Sequence, residues 1–324
     1  MPVTVEIPRE TFTGKIREVT LGATREQGGT RKRTVTVGGE TTLPFLHFEG
    51  EIPHPPAVAL EITDTFPADW SPLLIQAWGE STMKDPAQWA AKAEEAGADI
   101  IMIRLTGLGS NGQPYPASEA ATIVKRVLEA TGLPLIVRGP GQPERDNELL
   151  TAVADAAAGE RLVLGLCEDK NYRTIVAAAL ANNHLVIAST PIDVNLAKQL
   201  NILISDMNMP LDRVLMDPTT GSLGYGLEYT YSVMERLRLA ALQGDPMVQL
   251  PMICFAGEES WRQKESKVGE GVPEAWGDWE RRAIVWEAIT ATTLLHAGAD
   301  IVTLRHPKTV ALIKQEIQKL MNKA

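Results

Sequence analysis

Four carboxylates stand at or just past short apolar runs of this 324-residue chain: Asp64, Glu168, Asp217 and Glu258. Brought together, they could hold a divalent cation through oxygen ligands. They could also pair with Arg104, Arg138 and Arg305, which occupy equivalent places, or cap the helices that follow. The second reading is preferred, because acidic groups at strand ends commonly do this. No lysine lies inside an apolar run, which weakens a Schiff-base mechanism; Lys170 is nearest, already in a loop. The five histidines are dispersed, without the H-x-H or H-E-x-x-H spacing of a zinc hydrolase. His306, before Pro307, reads as a cap or packing residue. Cys167 and Cys254 lie in apolar runs and read as buried small hydrophobes. Gly107, Gly109 and Gly112 form G-x-G-x-x-G, but Pro114 and Pro116 interrupt the helix that should receive a pyrophosphate. The glycines read instead as letting backbone approach a broad flat ligand or partner.

These residues share one kind of place because the chain repeats one kind of unit. From about residue 57, short β-branched-rich runs alternate with amphipathic helices, the pattern of βαβ units and a parallel sheet. The runs are Ala57–Ile62, Asp99–Leu105, Pro134–Arg138, Arg161–Leu166, His184–Ala188, Arg213–Asp217, Pro251–Phe255 and Asp300–Leu304. Helices are predicted over Asp85–Glu95, Ser118–Ala130, Glu144–Ala158, Asn171–Leu180, Tyr229–Leu242, Asp278–His296 and Pro307–Met321. EEAGADII at Glu94–Ile101 and HAGADIV at His296–Val302 repeat a helix, a terminating Gly and an Ala-Asp step into a strand. Eight such units point to a closed (β/α)₈ TIM barrel rather than an open doubly wound sheet. In a barrel, functional groups come from the carboxyl ends of the strands and the loops after them. The rim so assembled is polar, neutral to mixed in charge, and rich in Gly, Thr and Pro.

Residues 1–56 break the pattern and are read as an N-terminal extension to a barrel domain of residues 57–324. Thr34–Val37 and Glu40–Leu43 flank Gly38-Gly39, a two-residue hairpin signal. The hairpin is expected to plug or cap the barrel bottom, and Arg31-Lys32-Arg33 to be a solvated loop. Gly257–Gly277 has no apolar periodicity and reads as a long functional loop. Trp261 and Trp276 bracket it, with Trp279 beyond, either as in a lid or protein interface or as residues that pack the loop onto the helices. On the interface reading Trp261→Ala weakens assembly more than the fold.

The net charge, 31 basic against 41 acidic residues or −10, argues against a nucleic-acid partner and against docking on an anionic membrane. No apolar run has the length of a membrane span. MPVTVEIPRETFTG lacks the basic and apolar regions of a secretory leader. A cytoplasmic protein with reduced thiols is expected.

Asp217–Tyr229, DPTTGSLGYGLEY, resembles the corresponding run in the small, delta-type subunit of the corrinoid/iron–sulfur protein of the CO dehydrogenase/acetyl-CoA synthase system. Cys167–Tyr172 (CEDKNY) and Glu61–Asp64 (EITD) look like further pieces of it, and the resemblance covers essentially the whole chain. It implies a TIM barrel that acts as a carrier subunit rather than an independent enzyme, with no catalytic residue or metal ligand assigned to this chain. The larger subunit of the heterodimer would hold the 4Fe-4S cluster and a corrinoid-binding domain, with cobalamin between that domain and the top of this barrel. Cobalt(I) would accept a methyl group from methyltetrahydrofolate through a separate methyltransferase. Methyl-cobalt(III) would deliver it to acetyl-CoA synthase in the reductive acetyl-CoA pathway.

The residues agree with that division. Two cysteines cannot hold a four-iron cluster by thiolates alone. There is no D-x-H-x-x-G motif to ligate cobalt. A flat macrocycle with amide side chains takes hydroxyl and backbone hydrogen bonds, so contacts are expected from Thr106, Asn111, Asn171, Thr190, Thr219 and Thr220 at the strand ends. Two other readings stay open. One is a pterin-dependent methyltransferase acting on its own, with Asp64, Asp217 and Asn171 toward the ring; the other is a metal-assisted aldolase or lyase.

Overall fold

The computed structural model describes residues 7–322. Met1–Glu6, on which the reading of the leader partly falls, lie outside the described residues. Two short strands, β1 (Val19–Leu21) and β2 (Val35–Val37), pair antiparallel. Eight parallel strands follow and close into a barrel. They are β3 (Ala57–Thr63), β4 (Ile100–Arg104), β5 (Leu135–Arg138), β6 (Val163–Cys167), β7 (Leu185–Ser189), β8 (Val214–Asp217), β9 (Met252–Cys254) and β10 (Ala299–Leu304). Neighbours in sequence are neighbours in space, and β10 closes the ring on β3 with Ile301 opposite Ala57 and Leu304 opposite Leu60. Each expected run is a strand, shifted by two residues at most.

Period two sorts the strand residues. Val58, Leu60 and Ile62 face outward into the layer between barrel and helices. Ala57, Ala59, Ile100, Met102, Ile136, Leu185, Ile187, Leu215, Ile253 and Ile301 pack inside the barrel. Val19, Leu21 and Val37 of the extension join that inner cluster, so the extension caps the barrel floor as expected. Its turn is different. β2 pairs with β1, not with Glu40–Leu43, which forms no strand. Gly38 and Gly39 do take positive φ (+88° and +92°), but a Cβ on Gly38 would sit 2.0 Å from the Arg17 carbonyl oxygen. They serve a close crossing: the Gly39 N–H donates to Ile16 O and the Ile16 N–H to Glu40 O. Nor is Arg31 solvated. It is buried, donating to Glu160 (3.0 Å) and to the carbonyls of Leu128, Thr131 and Leu133, the open end of a helix.

Four of the helices start where a side chain supplies a missing acceptor. Asp85 accepts from Ala87 N, Asp193 from Asn195 N and Leu196 N, and Asp278 from Arg281 N. His306 accepts from Lys308 N, as a cap should. The two Gly-Ala-Asp joins are both at the barrel bottom and share a further role. Asp99 accepts from Val58 N (3.0 Å) and Asp300 from Met252 N (2.7 Å), tying each incoming turn to the strand beside it. Helix Val194–Asp206 lacked a prediction, and Ala256–Arg262 forms where a loop was expected.

Candidate functional site at the barrel mouth

Continued to the strand ends, the inner face changes chemistry. After Ala57 and Ala59 the next inward position of β3 is Glu61. After Ile100 and Met102 it is Arg104, and after Ile136 it is Arg138. β7 offers Ser189, β8 Asp217, and Thr303 and Arg305 follow Ile301. One layer of charged and hydroxyl groups therefore lies over an apolar barrel filling.

Glu61 is fully buried and joins two arginines. It accepts from Arg104 Nε at 3.0 Å and from Arg305 Nε and Nη2 at 2.6 and 2.8 Å. The Arg305 guanidinium lies 4.4 Å over the Trp70 ring. Across the mouth Arg138 pairs with Glu258 and stacks 4.6 Å over Phe255. Burial alone would raise the Glu258 carboxyl, but the charges of Arg138 and Arg305 outweigh it and hold it at about 2. The mouth is thus a network of ion pairs, more charged than the neutral-to-mixed rim expected. Arginine–carboxylate pairing is the role preferred above for the acidic groups, and it holds for Glu258.

Asp217 and Asp64 are held by other donors. Asp217 accepts from Ser189 Oγ (2.8 Å) and from Thr219 N (3.0 Å). Burial pushes its carboxyl up to about 6, against the Ser189 hydrogen bond and the charge of Arg138. Asp64 accepts from Thr106 N and from the buried Tyr115 hydroxyl, which pins both ends of the Gly107–Pro116 loop. The helix beyond that loop starts only at Ala117. Glu168 is exposed. The four carboxylates do not converge, and among the described residues no three His, Cys, Asp or Glu are grouped to hold a metal ion.

The six expected contact residues divide by what their side chains already do. Thr190 Oγ1 is buried and has no hydrogen-bond partner. Thr219 sits beside it, its hydroxyl donating to Thr190 O at 2.6 Å, in a left-handed conformation (φ +63°) rare for a β-branched residue. Such strain persists only where the surroundings impose it, and it concentrates at functional sites. The Thr106 hydroxyl touches those of Thr65 and Leu108's backbone. Thr220 Oγ1 accepts from Phe255 N at 2.8 Å. Asn171 is buried, accepting from Glu168 N and donating to Leu166 O. Exposed Asn111 closes its own turn on Gln113 N. Thr190, Thr219 and Ser189 gather around Asp217; Thr106 belongs to the Asp64 corner.

For Trp261 the packing alternative holds and the exposed one does not. The residue is 3% exposed and stacked on His306 with ring centroids 5.8 Å apart, so its removal acts on the fold. Glu61 is the mouth residue not singled out above. Its signal was present: AVALEIT places Glu on the inner register of an otherwise apolar strand, where only a paired charge is tolerated.

Fold and mouth together define a closed (β/α)₈ barrel, floored by a two-stranded extension, with a buried arginine–glutamate layer at its carboxyl end. Residues 18–318 match the model of the CO dehydrogenase/acetyl-CoA synthase delta subunit, and the chain belongs to that family. It is 38% identical to the acetyl-CoA decarbonylase/synthase complex subunit delta of Archaeoglobus fulgidus over 326 residues, covering 97% of this chain and 70% of that one. Subunit delta 1 of Methanosarcina thermophila is also 38% identical, over 95% of this chain and 71% of its own length. Among solved structures the fold is similar to dihydropteroate synthase of Xanthomonas albilineans with 4-aminobenzoic acid (16% identity, TM-score 0.57, 85% of this chain and 96% of that one). It is likewise similar to the Coxiella burnetii dihydropteroate synthase in complex with pteroic acid (13% identity, TM-score 0.54, 94% of this chain, all of that one). No helix among the described residues is long and apolar enough to cross a membrane.

Proposed function

We propose that this chain is the barrel subunit of a corrinoid methyl carrier, working within an acetyl-CoA decarbonylase/synthase complex. Its mouth covers a cobalamin gripped by a larger subunit that carries the 4Fe-4S cluster. The methyl group comes from methyltetrahydrofolate through a methyltransferase and passes to acetyl-CoA synthase. Family membership over residues 18–318 is the observation that carries this reading.

The mouth supports it. Thr190 Oγ1 is a buried hydroxyl awaiting a partner, which a corrinoid amide would supply. Thr219 beside it, and Thr106 and Asn111 at the start and in the middle of the loop after β4, are further contacts on this reading, while Asn171 and Thr220 would shape the mouth through the loops they hold. The carboxylates Glu61, Asp64, Asp217 and Glu258 are each held by donors of this chain, as suits a surface that positions rather than reacts. When bound, the corrinoid supplies the cobalt that carries the methyl group. The chain's own part is to orient the macrocycle and exclude water from its face.

The second reading, a pterin-dependent methyltransferase acting alone, draws on Asp64, Asp217 and Asn171 as ring contacts; Asp64 and Asn171 are engaged with the chain's own groups, and Asp217 is held by Ser189 and Thr219. One experiment separates the two readings. Co-expressed with a cluster-bearing partner, the chain should co-purify as a complex with corrinoid absorption, and alone it should not turn over methyltetrahydrofolate. A colourless, unpartnered chain that transfers the methyl group by itself would establish the second reading instead.

A further inference from the structure

At one edge of the mouth lies a small cavity of about 90 Å³, between the segment Asp69–Leu74 and the helices Ala256–Arg262 and Lys264–Lys267. It is well below the ~300 Å³ at which pockets for whole small molecules begin, so it suits one functional group. Arg104, Arg262, Lys267 and Arg305 line it, against Asp69 and Glu258. Glu61 beneath compensates one further cation, through Arg104 and Arg305.

The arginines are positioned with donors to spare. Arg305 commits Nε and Nη2 to Glu61, and Arg104 commits Nε, which leaves the outer nitrogens for the cavity. Trp70 beneath Arg305 fixes its plane. The second, independent observation is Ser71. This residue lines the same cavity, is 1% exposed, and its hydroxyl has no hydrogen-bond partner. It precedes the helix Pro72–Trp78 without capping it. A buried hydroxyl left open beside preorganised guanidinium groups suits a polar guest.

We infer that this cavity binds an oxyanion, the carboxylate or phosphate end of a larger ligand, between Arg104, Arg305 and Lys267 with Ser71 Oγ as a further donor. The cavity shares Arg104, Arg305 and Glu258 with the mouth assigned to the corrinoid, but its test needs neither corrinoid nor partner, so either reading can fail without the other. The purified chain is titrated calorimetrically with inorganic phosphate and, separately, with acetate, at an ionic strength fixed with chloride. Saturable one-to-one binding of at least one anion is expected; the tighter of the two assigns the phosphate or the carboxylate end. Arg104→Gln should weaken it about tenfold or more, since a charge-assisted hydrogen bond is lost. Lys267→Ala, on an exposed side chain that leaves the fold intact, should weaken it by about threefold. Absence of saturable binding with both anions would overturn the inference. So would unchanged affinity in Lys267→Ala, whatever becomes of Arg104→Gln.

Discussion

Glu61 carries the heaviest electrostatic duty at the mouth. Two guanidinium groups lean on one fully buried carboxylate, and removing one partner of a buried ion pair strands the others. Glu61→Gln is expected to cost roughly 3–5 kcal/mol in urea denaturation. A loss under about 1 kcal/mol would show that Glu258 or solvent takes over the two arginines. At the opposite end Glu40 has the reverse problem. Burial, reinforced by the nearby Asp300, pushes its carboxyl from 4.5 up to about 8 despite the charge of Arg238. Its folded value exceeds its unfolded one, so the stability it contributes is full below about pH 4.5 and is lost as pH rises through about 8. Glu40→Gln should therefore flatten the fall in melting temperature between pH 5 and 9 and leave the variant the more stable chain at pH 9. An undiminished fall would place the titration elsewhere.

At the scale of elements, the extension is held by one latch and one floor. Arg31 closes the carbonyl end of helix Ala117–Ala130 and pairs with Glu160, while Val19, Leu21 and Val37 fill the base of the barrel. Arg31→Ala should lower stability by about 3 kcal/mol, with amide exchange rising first in the extension. Uniform exchange across the chain would contradict the latch. Arg31 also marks the limit of what the sequence makes legible. The eight strands could be read because each is a short apolar run bounded by turn residues, and the carboxyl-end residues followed from barrel geometry. Arg31 could not, because three adjacent basic residues look alike until the fold supplies five acceptors to one of them. Gly38-Gly39 misled for a related reason: positive φ serves a tight crossing as well as a tight turn. Trp261 could not be placed because a seven-residue helix with glutamates in its first turn shows no apolar period, yet buries one face against His306. Within the mouth, the cluster of Ser189, Thr190, Asp217 and Thr219 was partly visible from strand ends. Which hydroxyls stay open was not, because that depends on partners distant in sequence.

The whole molecule has two unlike ends. The floor is sealed by the chain's own extension; the mouth combines fixed charges with an open Thr190 hydroxyl and a strained Thr219. Exposed apolar side chains also stand on loops of this end, with Leu108 42%, Ile192 37% and Tyr225 49% exposed. On the proposed function, these are the groups that the large subunit would meet. Hydrogen–deuterium exchange on the chain, alone and in complex with a corrinoid-loaded large subunit, tests this directly. The account predicts protection of Gly107–Pro116 and of the loops holding Thr190–Ile192 and Thr219–Gly226, with β1 and β2 unchanged. Protection confined to the extension or to the outer helices, with the mouth loops exchanging as in the free chain, would contradict it.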